Sequence, residues 1–549
     1  MTRRLTLIFL AALAITTQLF AATTSRYMVV PREGAEPGRM PRLVANSAES
    51  TAHHVRRFDH AGSFAIDLTE DEAAELRRSG EVLSVEPVTR VYALELDAPP
   101  VTTVNLTQQQ ITPWGVAAIH APSVWAATRG ASVNVVVIDS GIDITHPDLA
   151  PAYAGGYNTI HPGEPPLDDH GHGTHVSGII AAQDNAFGTV GVAPKARLWA
   201  AKMLAADGSG SEENLIAALD WTIAKKNEIG GPWVANMSVG APDGTSALTA
   251  AVQRALDARV ILVAASGNAS RPWLQYPAAY RGVISVGAVD SSYEVASFSQ
   301  YSSSLSVVAP GVDIESSYLR GKFPEAQITA GSVVLTAYGI TGSPMTEVQA
   351  PYINCGFGRP GDFPLEASGR ICVIERSPMG AADALPFRDK AKNAKDAGAV
   401  AVIIYNDDDV GRPDMAKWTF IPEEWPDYQF PLTVALTYAD GTRLLNQLGG
   451  TINVSYRFKE YGLLTGTSMA APHVTGTVAL LLALVPETGN AQMLSLLERT
   501  TTDVSVNGWD YRTSWGMVDA LAAARALAPA AFGAAAQPPP VIKRRSVRP

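Results

Sequence analysis

Gly466-Thr467-Ser468-Met469-Ala470-Ala471-Pro472-His473-Val474 opens a run, 468–485, with almost no charge and many small or apolar residues. Pro472, His473 and Gly476 break it, and it is too short for a comfortable membrane span. A buried central helix of a globular domain fits better. Ser468 then falls in the first helical turn, where unpaired N–H groups and the positive end of the helix dipole favour negative charge. Gly466 lets another backbone approach without a side chain in the way. A hydroxyl so placed becomes a nucleophile if a base lies nearby. The plainer reading makes Ser468 an N-cap, and the segment alone leaves both open.

Outward from this helix the chain is too long for one domain. Its 549 residues, 46% of them hydrophobic, predict two to four units with sizeable cores. A formal charge of −11 argues against a nucleic-acid partner and against a general affinity for anionic membranes. Arg3 and Arg4 ahead of an apolar core from Leu5 to Ile15, then Ala21 and Ala22, read as a cleavable export signal over 1–22. The mature chain then has no stable membrane span and is secreted, extracellular or periplasmic. In that setting the two cysteines, Cys355 and Cys372, can pair as a disulfide.

Residues 27–96 predict a small α+β unit. It has strands at 27–30 and 63–68, a helix opened by the Thr69 to Glu72 capping-box spacing, and a third extended stretch over 82–94. Pro99-Pro100 marks the 97–110 segment as a linker or processing region. From 110 to about 316, short apolar strands (133–138, 198–203, 234–237, 260–265, 283–289) alternate with helical stretches at 177–182, 212–226 and 246–257. That pattern predicts an α/β fold with a mostly parallel sheet buried on both faces, and sites beyond the strands' carboxyl ends. Texture changes over 318–459, which is rich in Pro, Gly and Asp and carries its own strand, helix and strand at 370–374, 387–397 and 400–405. The first domain resumes over 460–527, and the Ala- and Pro-rich tail 528–549 reads as disordered.

Three segments offer chemistry. Strand 133–138 runs into Asp139-Ser140-Gly141. Asp169-His170-Gly171-His172-Gly173-Thr174-His175 places glycines around His172. Ser468 is the third. His170, His172 and His175 also permit a zinc site, although a catalytic zinc needs converging ligands and the first two lie on a Gly-rich turn.

Together the Asp139-Ser140-Gly141, His172-Gly173-Thr174-His175-Val176-Ser177-Gly178 and Gly466-Thr467-Ser468-Met469-Ala470 motifs resemble the three signatures of the subtilisin-like serine peptidases. Their order along the chain is that family's Asp, His, Ser order. The resemblance implies a three-layer α/β sandwich acting as a monomeric serine endopeptidase on polypeptides. Ser468 would be the nucleophile, His172 the general base and Asp139 its orienting carboxylate. Asn268, after strand 260–265, would donate to the oxyanion. Gly208, Ser209, Gly210 and Ser238, Val239, Gly240 would pair with extended substrate, and Trp273, Leu274 and Gln275 would floor the primary pocket. It implies a structural Ca²⁺ held by Gln110, Asp148, Gln183, Asn185, Phe187 and Thr189. It does not extend to a second cation site, because Ser304 and Ser306 stand where acids would be wanted. Residues 23–109 resemble the inhibitor-type propeptide and its linker, cut between Leu96 and Gln110. The insert, 318–459, resembles a protease-associated (PA) domain containing Cys355 and Cys372.

Overall fold

The computed structural model describes residues 24–32, 54–94, 109–320, 323–340, 343–377, 385–407, 429–447, 450–505 and 508–533. The expected export signal, most of the 97–110 linker and residues 534–549 of the tail lie outside them. The chain divides into two compact units, one comprising residues up to 57 together with 63–88, the other 58–62 together with 89 onward.

Among the described residues the first unit is a four-stranded sheet in the order β2-β3-β1-β4, from β1 (Ser25–Pro31), β2 (Val55–Phe58), β3 (Ser63–Leu68) and β4 (Val82–Pro87), with one helix, α1 (Glu70–Arg78). The capping box forms as its spacing predicts. Thr69 Oγ1 accepts from Glu72 N, and the Glu72 carboxylate accepts from Thr69 N at 2.8 Å. The single extended stretch expected over 82–94 is in fact two strands. Pro87 ends β4, and residues from Thr89 onward belong to the second unit.

In the second unit, β5 (Arg90–Ala93) is followed by α2 (Trp114–Ala118), β6 (Asn134–Asp139), β7 (Tyr153–Asn158), α3 (His172–Ala181) and β8 (Arg197–Lys202). Next come β9 (Ser209–Ser211), α4 (Glu212–Ile229), β10 (Trp233–Met237), β11 (Val239–Gly240), α5 (Ser246–Asp257), β12 (Val260–Ala265), β13 (Ile284–Val289), β14 (Val307–Pro310) and β15 (Ile314–Ser317). Seven strands form a parallel sheet in the order β14-β13-β12-β10-β6-β8-β7. Every residue of β6, β10, β12 and β13 is buried, which is why their sequences run apolar rather than alternating.

The insert is a closed barrel of β16 (Phe323–Ala330), β17 (Val333–Gly339), β18 (Glu347–Asn354), β19 (Ile371–Glu375), β20 (Ala401–Tyr405), β21 (Leu432–Leu436) and β22 (Thr451–Lys459), with α6 (Phe387–Asp396) and α7 (Tyr438–Gln447). Ile328, Ile371, Ile403, Val434 and Val454 lie in its own core. The chain then returns through β23 (Tyr461–Leu464), antiparallel to β15, into α8 (Thr467–Leu484), α9 (Asn490–Arg499) and α10 (Ala520–Leu527).

α8 is the long, apolar helix read from the sequence, and it is the core helix of this unit. It packs on β10, β12, β13, β14 and α3. Composition alone would let it cross a membrane, but its residues from Thr467 to Leu482 are buried here. Pro472 has no N–H for the Ser468 carbonyl one turn back. Ser238 Oγ, at the end of β10, donates to that carbonyl at 2.8 Å instead. Asn236 Nδ2 donates to Ser238 Oγ, and Thr475 Oγ1 donates to Asn236 Oδ1, so a buried polar chain fastens α8 to the sheet.

Besides His172, two histidines are wholly buried on these helices. Burial depresses His175 on α3 to a pKa of about 3 and His473 on α8 to about 4. In the unfolded chain both take up a proton near pH 6.5. Their contribution to stability is therefore complete above that pH and is lost as pH falls toward 3–4. Urea unfolding of a Ser468→Ala protein, which cannot digest itself, should show a loss of about 2 kcal/mol per histidine between pH 7 and 5. A flat profile would contradict the buried, neutral placement.

Candidate active site

The carboxyl end of β6 brings Asp139 to His172, and the third signature opens α8, which packs on the helix that His172 begins. Asp139 is the last residue of β6 and His172 the first of α3, and both side chains are fully buried. His172 Nδ1 lies 2.8 Å from Asp139 Oδ1. Because the carboxylate is an acceptor, Nδ1 carries the proton and Nε2 is left as the basic nitrogen. Helix α3 begins at His172, five residues ahead of the expected start at 177, so the histidine sits in the first turn of a helix.

Asp168 was not singled out in the sequence, yet it organises this corner. Its Oδ1 accepts from Ser140 Oγ (2.8 Å), His170 N (3.0 Å) and Gly171 N (2.9 Å), and its Oδ2 accepts from Thr174 N and Thr174 Oγ1. One carboxylate thus caps the start of α3 and ties it to the residue after Asp139. Ser140 Oγ also accepts from Gly173 N. Lys202, at the end of β8 beside Asp139, reaches the Ser140 carbonyl (2.7 Å), the Asp169 carboxylate (2.6 Å) and the Leu204 carbonyl (3.0 Å).

Ser468 is buried in the first turn of α8, and a carbonyl lies against it. The oxygen of Leu94 accepts from Ser468 N at 3.2 Å, from Ser468 Oγ and from Asn268 Nδ2 at 2.8 Å. Thr467 fixes which way the Asn268 amide faces. Its N and Oγ1 both donate to Asn268 Oδ1, at 2.9 and 2.8 Å, leaving Nδ2 for Leu94. A side chain on Gly466 would stand 2.6 Å from the Leu94 oxygen, so only glycine leaves the carbonyl room.

Segment 90–94 lies extended between the two expected substrate-binding stretches. β5 pairs antiparallel with β9, Tyr92 opposite Ser209 and Val91 opposite Gly210, and with β11, Ala93 opposite Val239 and Tyr92 opposite Gly240. Ala93 N donates to Gly208 O and Leu94 N to Ser238 O. All six residues named from the sequence therefore line this strand. The Leu94 side chain lies over Gly240, where an added Cβ would sit 2.8 Å from its Cδ1. Gln275 borders the same glycine. Leu274 is buried, whereas Trp273 is half exposed under the Arg271 guanidinium. Val91 is buried and Tyr92 points outward at 45% exposure.

The expected cation ligands also converge. Gln110 Nε2 has four oxygens around it: Gln183 O (2.6 Å), Asn185 Oδ1 (3.1 Å), Phe187 O (3.3 Å) and Thr189 O (3.3 Å). An amide nitrogen has two hydrogens and cannot serve four acceptors, so this cage suits a cation better than the nitrogen in it. Asp148 stands beside the cage, accepting from Asn185 Nδ2, Thr189 N and Tyr461 Oη. Burial raises its carboxyl above the usual range.

The alternative zinc set does not converge. His175 Nε2 is committed to the carbonyls of Ile314 and Gly462, at 2.9 and 3.0 Å. In the insert, Cys355 and Cys372 are free buried thiols with sulfurs 2.7 Å apart.

Comparison with known proteins agrees with this geometry. The subtilase family model matches residues 130–348 and 425–516. The chain belongs to the subtilase family. It is 41% identical over 286 residues to the M-protease of Shouchella clausii, covering 50% of this chain and 72% of that protein. It is 45% identical over 211 residues to Subtilisin Savinase of Lederbergia lenta, covering 38% and 75%. The crystal structure of the psychrophilic subtilisin-like protease Apa1 from Pseudoalteromonas sp. AS-11 matches with a TM-score of 0.53 and 29% identity, over 77% of this chain and all of that one. Fervidolysin from Fervidobacterium pennivorans shares the fold, with a TM-score of 0.57 at 23% identity over 92% of this chain and 61% of that one. A PA-domain model matches residues 330–444, inside the insert. This subtilase is therefore a subtilisin-like serine endopeptidase with a PA domain set into its peptidase domain.

Lys202→Met tests the buried network. It leaves the Ser140 carbonyl short of a donor and the Asp169 carboxylate without its ion pair, and should lower unfolding free energy by about 1–3 kcal/mol. Denaturant melts in the Ser468→Ala background measure this, and an unchanged midpoint would show that Lys202 does not hold these loops.

Proposed function

We propose that the chain is the precursor of a secreted serine endopeptidase that works through Asp139, His172 and Ser468 and frees itself by cutting after Leu94. The observation that carries this is the Leu94 carbonyl, held by Ser468 and Asn268 at the end of a strand paired on both sides. A peptide carbonyl in that position is polarised by two donors and faces a hydroxyl, the ground-state arrangement for acyl transfer.

In this reading Ser468 Oγ attacks the carbonyl carbon while His172 Nε2 takes its proton. The oxygen becomes an oxyanion between Ser468 N and Asn268 Nδ2. His172 gives the proton to the departing amine, and water then hydrolyses the acyl-enzyme by the same route. Asp139 keeps Nδ1 protonated and stabilises the imidazolium. The first scissile bond is Leu94–Glu95, ahead of the interval from Leu96 to Gln110 that the resemblance implies. Until the 90–94 segment leaves, it fills the strand slot that a substrate needs, so the precursor is its own inhibitor. Residues 1–22 direct export, and in an oxidising compartment Cys355 and Cys372 join as a disulfide.

Calcium belongs in the cage around Gln110. The carbonyls of Gln183, Phe187 and Thr189, Asn185 Oδ1 and the Gln110 amide oxygen would hold it, with Asp148 supplying charge alongside. Its contribution is structural, tying the 183–189 loop to the start of the peptidase domain.

Three outcomes are expected. Mass spectrometry of the purified wild type should find a mature chain starting at Glu95, and Ser468→Ala should keep residues 90–94 attached. A Ser468→Ala protein cut at the same bond would sink the self-processing claim. Asn268→Ala should lose ~10²–10³ in kcat, the size measured for one such donor in a subtilisin, with KM little changed. A loss below threefold would remove Asn268 from the oxyanion site. Calcium in 1,000-fold excess over its Kd should raise unfolding free energy by about 4 kcal/mol. The melting temperature of Ser468→Ala, with and without chelator, reads this without any activity assay, and no shift would empty the cage.

A further inference from the structure

The inserted barrel hangs from a two-stranded neck, and that neck is built onto the segment that launches His172. β15 and β23 pair antiparallel from Ile314 opposite Leu464 to Ser317 opposite Tyr461, and everything between them is insert. β15 packs on α3 closely enough that a side chain on Gly178 would collide with Ser316 Oγ. His175, one turn after His172, shares its Nε2–H between a carbonyl from each neck strand, Ile314 and Gly462. Ser316 Oγ donates back to the His175 carbonyl at 2.8 Å.

Tyr318, the first residue beyond β15, closes this arrangement. Its N donates to Glu460 O at 2.7 Å, joining the two neck strands at the barrel's base. Its hydroxyl donates to the His170 carbonyl at 3.2 Å. Its ring lies over Gly171, where an added Cβ would fall inside the ring's contact distance. Gly171 has φ +113 and is the N-cap of α3 without any side-chain cap bond. The turn before His172 is thus gripped from one side by Asp168 and from the other by Tyr318. Further into the insert, Arg320 N donates to Asp143 Oδ2 at 3.2 Å, and Asp143 N donates to Thr174 Oγ1 on α3 at 2.9 Å. The loops carrying both Asp139 and His172 are therefore tied to the base of the barrel.

We propose that Tyr318 is a positioning residue for the peptidase reaction, through which the seating of the PA barrel on its neck sets the place of His172. The inference rests on the reading of His172 as the general base. Its consequence is that the insert governs the rate of the chemical step, even for substrates that never touch the barrel. A shift of His172 on the order of 1 Å is enough to cost ~10²-fold in rate.

The test uses the full, self-processed enzyme and a short anilide substrate with the sequence of residues 91–94. Tyr318→Phe keeps the ring on Gly171 and drops the hydroxyl; Tyr318→Ala drops both. Expected are a fall in kcat of about fivefold for Phe and about 10²-fold for Ala, KM within twofold of wild type, and a displaced acid limb in the pH profile of kcat/KM. If Ala does not fold, Phe alone decides. A folded variant with wild-type kcat and an unmoved acid limb would overturn the proposal and leave Tyr318 as packing in the neck. A wild-type enzyme that fails to turn over the anilide would instead overturn the underlying assignment of the site.

Discussion

One carbonyl oxygen constrains this molecule more than any other atom. The oxygen of Leu94 takes hydrogen bonds from Ser468 N, Ser468 Oγ and Asn268 Nδ2, and the three residues involved are held by different parts of the fold. Ser468 comes from the first turn of the core helix, Asn268 from the loop after β12, and Leu94 from a strand wedged between β9 and β11. The helix must pack to within its side-chain radius on the parallel sheet, and Gly466 must remain bare. The buried chain of Thr475, Asn236 and Ser238 supplies the register, and it exists because Pro472 releases the Ser468 carbonyl.

The second half of the site obeys the same logic with charge added. A buried carboxylate is costly unless it is paired and hydrogen-bonded. Asp139 meets that demand with His172 Nδ1 and Ser140 N. Half-buried Asp168 and buried Lys202 are likewise paired with backbone groups from the loops on either side, which fixes those loops. Neighbouring histidines are sorted by their partners. His172 Nδ1 faces a carboxylate, whereas His175 faces two carbonyls in a buried pocket and burial keeps it neutral.

Much of this was legible because it is local. Asp139, His172 and Ser468 sit in short motifs whose glycines announce close approaches, and the wholly apolar strands announce a sheet covered on both faces. The strand, helix and strand read in the insert fell within a residue of the pattern, 370–374 as β19, 387–397 as α6 and 400–405 as β20, whereas the other five strands of its barrel were not read. What escaped is non-local. Nothing in the composition of 82–94 tells that Pro87 divides it, or that its last residue enters the site. Asp168 reads as one more turn residue until Ser140, 28 positions away, bonds to it. Lys202 reads as a strand-end cation until Asp169 and Ser140 close around it. Thr467 was in the quoted motif, but its grip on Asn268 spans 199 positions.

The central claim is that Ser468 is a nucleophile made reactive by His172. Titration of the processed enzyme with a phosphonyl fluoride, followed by peptide mapping, tests it most directly. The account predicts one equivalent bound, on Ser468, in wild type, and labelling slowed by orders of magnitude in His172→Ala that has been cut after Leu94 by immobilised wild-type enzyme. A folded wild-type enzyme that takes up no label on Ser468, or a His172→Ala protein that labels at the same rate, would contradict it.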